Sequence, residues 1–408
     1  MKSGQKGFII PLLLILLAVV LIGGGTYLYL HKKSSTTIPS VGYSTNTSAT
    51  SGPAIVGTSI ISATTTLPAV AISSSSSGFF ADNVWNDVTS SSDGSHLVAV
   101  AGDFVSENQT VPGEDSIYTS ANRGLTWMRS SAPEKDWWRV TSSSDGSRLA
   151  AIPEPYYEGN YIYLSSDYGA TWATSSAPEE KWQTINSSPD GSYLVATTND
   201  YEGDSQMFIS KDAGKTWNPI PAPNKEWVSL ISLPGGTRLL AEAYATVQDP
   251  ADRYIYLSND GGTTWSKTSA PDGFWSLITS SADGSHIAAA TADDSGDGLI
   301  YISKDGGSTW TKTSAPDDEW TSIALSSDGN HIIATSDTFQ DDDGMIYISS
   351  DGGSTWSQSS APSQDWASVV SSSDGSHSVA VSTIGNDFND GYIYTSTDFG
   401  ENWVRVSK

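Results

Sequence analysis

The sequence contains no cysteine and few basic residues. The absence of cysteine from the 408 residues excludes disulfides, thiolate metal sites, iron–sulfur clusters and a cysteine nucleophile. Only 20 Lys and Arg stand against 46 Asp and Glu, a formal net charge of −26. Binding to nucleic acid needs clustered basic side chains, so this charge balance argues against that class of partner. Stability must come from an ordinary hydrophobic core, to which 15 tryptophans can contribute.

Charge is also absent from most of the N-terminal part of the chain. The first acidic residue is Asp82, and only four lysines precede it. Residues 82–408 therefore hold 16 basic and 46 acidic residues, a net charge of −30. This step in composition predicts a domain boundary near residue 82.

Residues 8–30 form an uncharged, mostly apolar stretch that is long enough to cross a bilayer. Lysines flank it on both sides, so the positive-inside rule barely separates the two orientations. We expect residues 1–33 to be a retained signal anchor, single-pass, with the acidic domain outside the cytoplasm at the cell surface or in the periplasm. A cleaved signal peptide is the alternative, and Lys6-Gly7-Phe8 also resembles a type IV prepilin leader junction, although Leu12 replaces the glutamate of pilins.

Residues 34–81 are uncharged and rich in Ser and Thr. Such a segment buries too little apolar surface to fold alone. The sequence thus predicts a flexible linker between the anchor and the acidic domain.

The acidic domain repeats the signature Ser-x-Asp-x-Gly-x-Thr-Trp seven times. Intact copies span 165–172, 210–217, 258–265, 303–310 and 349–356, and degenerate copies span 120–127 and 396–403. Successive signature tryptophans lie 45 to 48 residues apart. The signature residues are Asp167, Asp212, Asp260, Asp305, Asp351 and Asp398 together with Trp127, Trp172, Trp217, Trp265, Trp310, Trp356 and Trp403.

Each repeat also parses into four short β segments. In the sixth repeat, these are strand A at 320–325, strand B at 331–335, strand C at 345–349 and strand D from Thr355. An Asp-Gly turn such as Asp328-Gly329 separates A from B, and a second tryptophan column begins each strand A. Four strands in about 46 residues, seven times, predict an all-β, seven-bladed β-propeller over 82–408, with whole blades and no strand exchange.

The signature resembles the Asp-box, or bacterial neuraminidase (BNR), repeat. That repeat occurs in sialidases, sortilin-type receptors, xyloglucanase-type hydrolases and photosystem II assembly factors. The resemblance implies a propeller in which the Asp-box is a structural turn remote from any active site. It leaves function open, because these families do different things on one scaffold.

A sialidase site is not expected. The resemblance implies three arginines on a substrate carboxylate, whereas only Arg139 of the seven arginines falls on an inner strand. The two positions after each strand-A tryptophan, which we expect to line the central channel, contain one acid, Asp87, predicted to pair with Arg139. A glycosidase needs two opposed carboxylates, so no catalytic residue is assigned. A histidine repeated two residues past Asp-Gly is predicted to be scaffold.

The negative charge is predicted to concentrate on one face. Propeller topology places the A–B and C–D turns on one side, here called the turn face, and the B–C and D–A loops on the other, the loop face. The loop face holds 32 acids and four bases, against 13 and six on the turn face. One interpretation of the acidic residues on the loop face is that they keep the protein soluble. The functional alternatives are that they bind a cationic partner or calcium. The candidate residues are Asp293, Asp294, Asp297, Asp341, Asp342, Asp343, Asp387 and Asp390.

The sequence thus favours a membrane-anchored, monomeric binding, adhesion or scaffold module that acts through its acidic loop face on a protein or glycan. The alternatives are a glycoside hydrolase of the sialidase-like or xyloglucanase-like type, and an assembly factor resembling the photosystem II type. No cofactor is expected, apart from possible calcium.

Overall fold

Runs of β-branched and aromatic residues between Asp-Gly and Gly-Gly turns form strands throughout the described part of the chain. No helix long and apolar enough to span a membrane occurs there. The anchor at 8–30 and the linker at 34–81 lie outside the described residues. The computed structural model describes residues 83–102, 104–106, 109–111, 115–155, 160–198, 205–223, 225–244, 253–292, 298–337, 344–383 and 391–406.

The strands fall into seven blades in chain order. Blade 1 contains β1 (Val84–Ser90), β2 (Leu97–Gly102), β3 (Phe104–Ser106), β4 (Gln109–Val111), β5 (Ile117–Ser120) and β6 (Met128–Arg129). Blade 2 contains β7 (Trp137–Ser142), β8 (Leu149–Pro153), β9 (Tyr163–Ser165) and β10 (Ala173–Thr174), and blade 3 contains β11 (Trp182–Ser187), β12 (Leu194–Thr198), β13 (Met207–Ser210) and β14 (Asn218–Pro219). Blade 4 contains β15 (Glu226–Ser232), β16 (Leu239–Tyr244), β17 (Ile255–Ser258) and β18 (Ser266–Lys267). Blade 5 contains β19 (Phe274–Ser280), β20 (Ile287–Ala292), β21 (Ile300–Ser303) and β22 (Thr311–Lys312). Blade 6 contains β23 (Glu319–Leu325), β24 (Ile332–Asp337), β25 (Ile346–Ser349) and β26 (Ser357–Gln358). Blade 7 contains β27 (Trp366–Ser371), β28 (Ser378–Ser382), β29 (Ile393–Ser396) and β30 (Val404–Arg405).

Each blade is a four-stranded antiparallel meander built from one contiguous stretch of chain, and β3 and β4 add a small hairpin between strands B and C of blade 1. The prediction of seven four-stranded blades is therefore confirmed. The ring closes without strand exchange, because the first and the last blade each take all four strands from one contiguous stretch of chain. Across this closure, the backbone N–H of Ser373 in blade 7 donates to the carbonyl of Ser92 in blade 1 at 2.6 Å. The same turn-to-turn bond joins blades 6 and 7, from Ser327 to Ser373.

Strand D is shorter than predicted. In blade 6 it covers only Ser357 and Gln358, whereas Thr355 and Trp356, predicted to open the strand, belong to the preceding turn. The reason is local hydrogen bonding: both Thr355 and Trp356 are engaged by the turn, as described below. The other predicted strands of this blade agree with the structure to within two residues.

The core lies between blades rather than within them. Each strand-A tryptophan packs against the preceding blade: Trp366 of blade 7, for example, shares a cluster with Ala324, Ile333 and Ile346 of blade 6. Seven such clusters fill the seven interfaces of the ring. An edge-to-face aromatic contact of 5.1–5.5 Å accompanies each tryptophan: Trp85–Tyr118, Trp137–Tyr163, Trp182–Phe208, Trp227–Tyr256, Trp275–Tyr301, Trp320–Tyr347 and Trp366–Tyr394.

A β-bulge follows the tryptophan in every strand A. In blade 1 the register shifts between Trp85 and Asp87, and the same shift recurs in the other six blades. A bulge leaves one residue unpaired and re-aims the neighbouring side chains. The first of the two predicted channel positions is consequently buried in five blades (Asn86, Trp138, Ser276, Thr321 and Ala367), whereas the second is half-buried in six.

Candidate functional site

The signature aspartate closes the C–D turn by a fixed set of hydrogen bonds. In blade 5, Asp305 Oδ1 accepts the backbone N–H of Thr309 at 2.8 Å and the hydroxyl of Ser303 at 2.8 Å. Its Oδ2 accepts the Thr309 hydroxyl at 2.7 Å. The indole N–H of Trp310 donates to the carbonyl of Gly307 at 3.0 Å, which pins the ring over the turn. Asp167, Asp212, Asp260 and Asp351 repeat the pattern with their own Ser and Thr, and Asp398 repeats it with Ser396 and Asn402.

These hydrogen bonds stabilise the ionised form of the turn carboxylates. Donation from the backbone N–H and hydroxyl of Thr309 lowers the pKa of Asp305 to about 2. The hydroxyl and N–H of Thr264 lower the pKa of Asp260 to about 2 in the same way. Such carboxylates are poor proton donors or acceptors near neutral pH, and their oxygens already accept the hydrogen bonds that hold the turn.

Replacing Asp305 by Ala should lower the melting temperature, whereas Asn should largely preserve it. Ala removes both carboxylate acceptors of the turn, Oδ1 and Oδ2, whereas Asn keeps the Oδ1 that receives the Thr309 N–H. Blade 1 supplies the natural precedent, because Asn122 accepts the Thr126 N–H at 2.9 Å and donates to its hydroxyl at 2.8 Å. Thermal denaturation of both variants at pH 7 checks this, and equal losses for Ala and Asn would contradict it.

The A–B turns use the same chemistry in a shorter loop. In blade 7, Asp374 Oδ1 accepts the Ser372 hydroxyl at 2.6 Å and the Ser376 N–H at 3.0 Å. The hydroxyls of Ser372 and Ser376 and the N–H of Ser376 lower the pKa of Asp374 to about 2. The turn face is thus lined by aspartates that hold turns.

The repeated histidine is a packing residue of this face. A Cβ added to Gly146, Gly329 or Gly375 would lie within 3.0 Å of His96, His286 or His331 respectively, so each histidine covers the Asp-Gly turn of the next blade. His377 covers Gly94 across the ring closure in the same way. The four histidines therefore occupy four separate blade interfaces and do not converge on a common point. Within the described residues, no three His, Asp or Glu side chains are grouped as metal ligands.

Asp87, the one acid of the second inner-strand column, joins three blades. Its Oδ1 accepts the hydroxyl of Ser368 in blade 7 at 2.9 Å and the N–H of Val88 in its own blade at 2.9 Å. Its Oδ2 accepts the N–H of Val140 in blade 2 at 3.0 Å. Burial raises the pKa of Asp87, and the nearby charge of Arg139 opposes that rise. Arg139 is thus the charged neighbour predicted from the sequence, while the direct contacts shown here are with Ser368, Val88 and Val140.

Asp87→Ala should lower the free energy of unfolding by about 2–3 kcal/mol, because it orphans donors from three blades at the point where the ring closes. Ser322→Ala is the matched control, since Ser322 sits in the same column and accepts one N–H, from Val369 at 3.1 Å. That control should cost about 1 kcal/mol. Urea denaturation of both variants measures the difference, and an Asp87 loss no larger than the Ser322 loss would refute the bridging role.

A second carboxylate is missing from the inner-strand columns, yet one acid is buried nearby. Glu242 lies in β16 with no exposed surface, and neither carboxylate oxygen has a hydrogen-bond partner among the described residues. Burial raises its pKa well above the ordinary value. Glu242 is paired opposite Ser229 and therefore lies in strand B of blade 4, not in the loop that follows. A fully buried group cannot contact a substrate in the channel.

The described part of the loop face carries individual polar contacts. Arg253 pairs with Asp272 at 3.2 Å across blades 4 and 5, and Tyr161 donates to Glu179 at 2.9 Å between blades 2 and 3. Backbone bonds such as Gly298 N–H to the Asp318 carbonyl, 2.9 Å, join neighbouring blades on this side. The eight candidate ligand residues, Asp293, Asp294, Asp297, Asp341, Asp342, Asp343, Asp387 and Asp390, lie outside the described residues.

Three solved structures have the same architecture. A GH74 xyloglucanase from Xanthomonas campestris superposes with a TM-score of 0.61 at 13% identity over 79% of this chain. A GH74 enzyme from Niastella koreensis gives 0.56 at 14% identity over 81% of this chain and 67% of its own. YCF48 bound to a D1 peptide gives 0.53 at 13% identity, covering 78% of this chain and 94% of the other.

The chain spans about half, 53%, of the length of the Xanthomonas enzyme. No known protein-family profile and no curated protein sequence matches the chain. At these identities the structural likeness concerns the fold alone. The described residues therefore form a seven-bladed β-propeller of the general kind found in xyloglucanases and in YCF48.

Proposed function

We propose that this protein is a membrane-anchored, extracytoplasmic propeller of the Asp-box type that binds a protein or glycan partner through its acidic loop face. One observation carries the proposal: the two faces are built differently. On the turn face, the aspartates are held by hydrogen bonds with the same geometry in blade after blade. The B–C loops instead differ in length and sequence between repeats while keeping a large excess of acids. Loops that vary on a fixed scaffold commonly form the binding surface.

The charge of the loop face favours a cationic partner. Steering by a one-signed face raises association rates and weakens with added salt. The full chain in detergent, applied to an array of neutral and cationic glycans and lysine-rich peptides, should retain cationic probes at low ionic strength and release them as salt rises. Retention that does not change with salt concentration, or no retention of cationic probes, would count against the proposal.

Calcium is the alternative ligand, and it should raise the melting temperature by mass action at millimolar concentration.

Membrane anchoring rests on the apolar stretch at 8–30 and the uncharged linker at 34–81. The protein should fractionate with membranes, and added protease should release the propeller from intact cells or from cells with a permeabilised outer layer. Recovery of a soluble form lacking the N-terminal residues would show instead that the segment is a cleaved leader.

A glycoside hydrolase is the second candidate, because the first two structural neighbours are GH74 enzymes. Against it, Asp87 is the one carboxylate in the second inner-strand column, and its oxygens hold blades together. The wild type would then release reducing sugar from xyloglucan and the Asp87→Asn variant would not, and this result would favour the hydrolase.

An assembly factor is the third candidate, supported by the fold of YCF48, which was solved with a peptide bound.

A further inference from the structure

A cleft lies on the turn face between blades 6 and 7. Its volume is about 140 Å³. A cavity of roughly 150 Å³ is enough to hold a benzene-sized ligand in a protein. Residues of both C–D turns line the cleft, among them Trp356 of blade 6 and Phe399 and Glu401 of blade 7. The cleft is therefore large enough for one small organic group, and its wall combines two aromatic residues with an acid.

Both aromatic rings of the wall are held in place before any ligand binds. The indole N–H of Trp356 donates to the carbonyl of Gly353 at 3.2 Å, and the ring lies 6.4 Å from that of Trp320. The Phe399 ring stacks on His331 with centroids 4.4 Å apart, and 43% of Phe399 stays exposed. Because these rings are already ordered, a ligand that contacts them loses little of its binding energy to fixing side chains.

Phe399 occupies a backbone position that favours glycine. Its φ is 61°, in the left-handed region. The same position holds glycine in blades 4 to 6, at Gly261, Gly306 and Gly352, and holds Arg123, Tyr168 and Ala213 in blades 1 to 3. A bulky side chain in this region is strained, and such strain is concentrated at functional sites. The aromatic ring in the cleft is thus kept at a cost in backbone strain.

Glu401 is the one acidic residue at its position in the repeat. The residue after the signature glycine is elsewhere Leu125, Ala170, Lys215, Thr263, Ser308 or Ser354. Glu401 is exposed, and its carboxylate makes no hydrogen bond or ion pair with another described residue. Blade 2 also has an aromatic residue at the Phe399 position, Tyr168, but it has Ala170 in place of the acid. Blade 7 alone therefore presents an aromatic ring and a carboxylate from one turn.

The charge around the cleft is negative. The N–H and hydroxyl of Thr355, a residue of the wall, lower the pKa of Asp351, so this neighbouring carboxylate is ionised at neutral pH. Among the described residues that line the cleft, none is Lys or Arg. The basic ring of His331 also lines it and is stacked on Phe399. A cation entering the cleft would consequently meet two carboxylates, and an anion would be repelled.

We propose that this cleft binds an organic ammonium group, either a quaternary ammonium head group or the side chain of a lysine. Such a cation is attracted to the faces of Trp and Phe rings, and its carbon atoms bring apolar surface to the contact. Trp356 and Phe399 supply the aromatic contacts, and Glu401 supplies the opposite charge. The site lies on the turn face and uses none of the loop-face residues, so it is additional to the proposed function.

The test is a titration of choline with the full chain in a sugar-headed detergent, followed by NMR of the choline methyl protons. Aromatic rings shield protons that lie over their faces, so the methyl signal should move upfield as the complex forms. The neutral isostere, in which a tert-butyl group replaces trimethylammonium, should bind at least about fivefold more weakly. A lysine-containing tripeptide is titrated in parallel, and the tighter of the two cations identifies the source of the ammonium group.

Two variants and one matched control assign the binding to the cleft. Phe399→Gly, which introduces the residue of blades 4 to 6, should abolish the upfield shift. Glu401→Gln changes an exposed side chain and should weaken choline binding about threefold without disturbing the core. Tyr168→Gly removes the aromatic residue at the same position in blade 2 and should leave choline binding unchanged.

Equal affinity for choline and its neutral isostere, an upfield shift that survives in Phe399→Gly, or an affinity unchanged in Glu401→Gln would each overturn the proposal. Cations held by the loop-face acids would bind equally to the wild type and to Phe399→Gly. Failure of this test therefore leaves the proposed function of the loop face standing.

Discussion

Replacing Glu242 by Val should stabilise the protein at pH 7, by about 2 kcal/mol or more. The carboxyl group of Glu242 has no exposed surface and no hydrogen-bond partner for either oxygen within the described residues. Blades 1 and 7 have Val100 and Val381 at the same register, opposite Asp87 and Ser368. Valine therefore suits the site, and the substitution removes a polar group that is costly to bury.

The gain should depend on pH in a defined direction. Burial raises the folded-state pKa of Glu242, so the native state binds a proton that the unfolded state releases above about pH 4.3. The wild type accordingly loses stability as pH rises from the unfolded pKa towards the folded one. The advantage of Val over Glu should grow from pH 4 to pH 7, whereas Glu242→Gln should remove the pH dependence with a smaller gain. Urea denaturation across this range measures it, and a less stable Val variant would contradict the assignment.

Acid should unfold the propeller through its turn aspartates. Hydrogen bonds lower the pKa of Asp93, Asp260, Asp305, Asp328 and Asp374 to about 2, and several further turn aspartates are shifted in the same direction. A depressed folded-state pKa contributes stability above the unfolded value, near 3.9, and that stability is lost as pH falls towards 2. Because many turns share the effect, the loss should be large and cooperative.

The two opposite trends predict maximum stability at about pH 4–5. Circular dichroism melts from pH 2 to pH 8 test this for the full chain. The variant with Asn at all six C–D aspartates is the control, and its acid limb should be shallower, because Asn keeps the turn acceptor without a titrating group. A melting temperature that stays constant down to pH 2 would rule out the turn carboxylates as the acid-labile element.

The sequence was sufficient to predict the propeller because the same tryptophans and turn residues recur in its repeats. The spacing of Trp310 and Trp356, and the turn at Asp328-Gly329, recur in blade after blade, so one parse covered the whole ring. The β-bulge after each tryptophan was not predicted, because no residue type marks it. As a result, Asn86 and Ala367 were assigned to the channel although they are buried.

The candidate sites were less predictable. Glu242 sits in the apolar run Leu-Leu-Ala-Glu-Ala-Tyr at the register that Val100 occupies in blade 1, but an acidic residue type gives no sign that its site is buried. The stacking of Phe399 on His331 joins two blades and leaves no local signal. One difference is readable in the sequence: the position that holds glycine at 261, 306 and 352 holds Arg, Tyr or Phe in blades 1, 2 and 7 and Ala213 in blade 3.

The most direct test compares equal charge removal from the two faces. One variant changes Asp293, Asp294, Asp297, Asp341, Asp342 and Asp343 to Asn; the other changes Asp167, Asp212, Asp260, Asp305, Asp351 and Asp398 to Asn. Each variant removes six negative charges and changes the formal net charge from −26 to −20. Binding of a cationic probe retained on the array should weaken at least about tenfold in the loop-face variant and far less in the turn-face variant. Equal weakening in both would show that only net charge matters, and would contradict a binding site on the loop face.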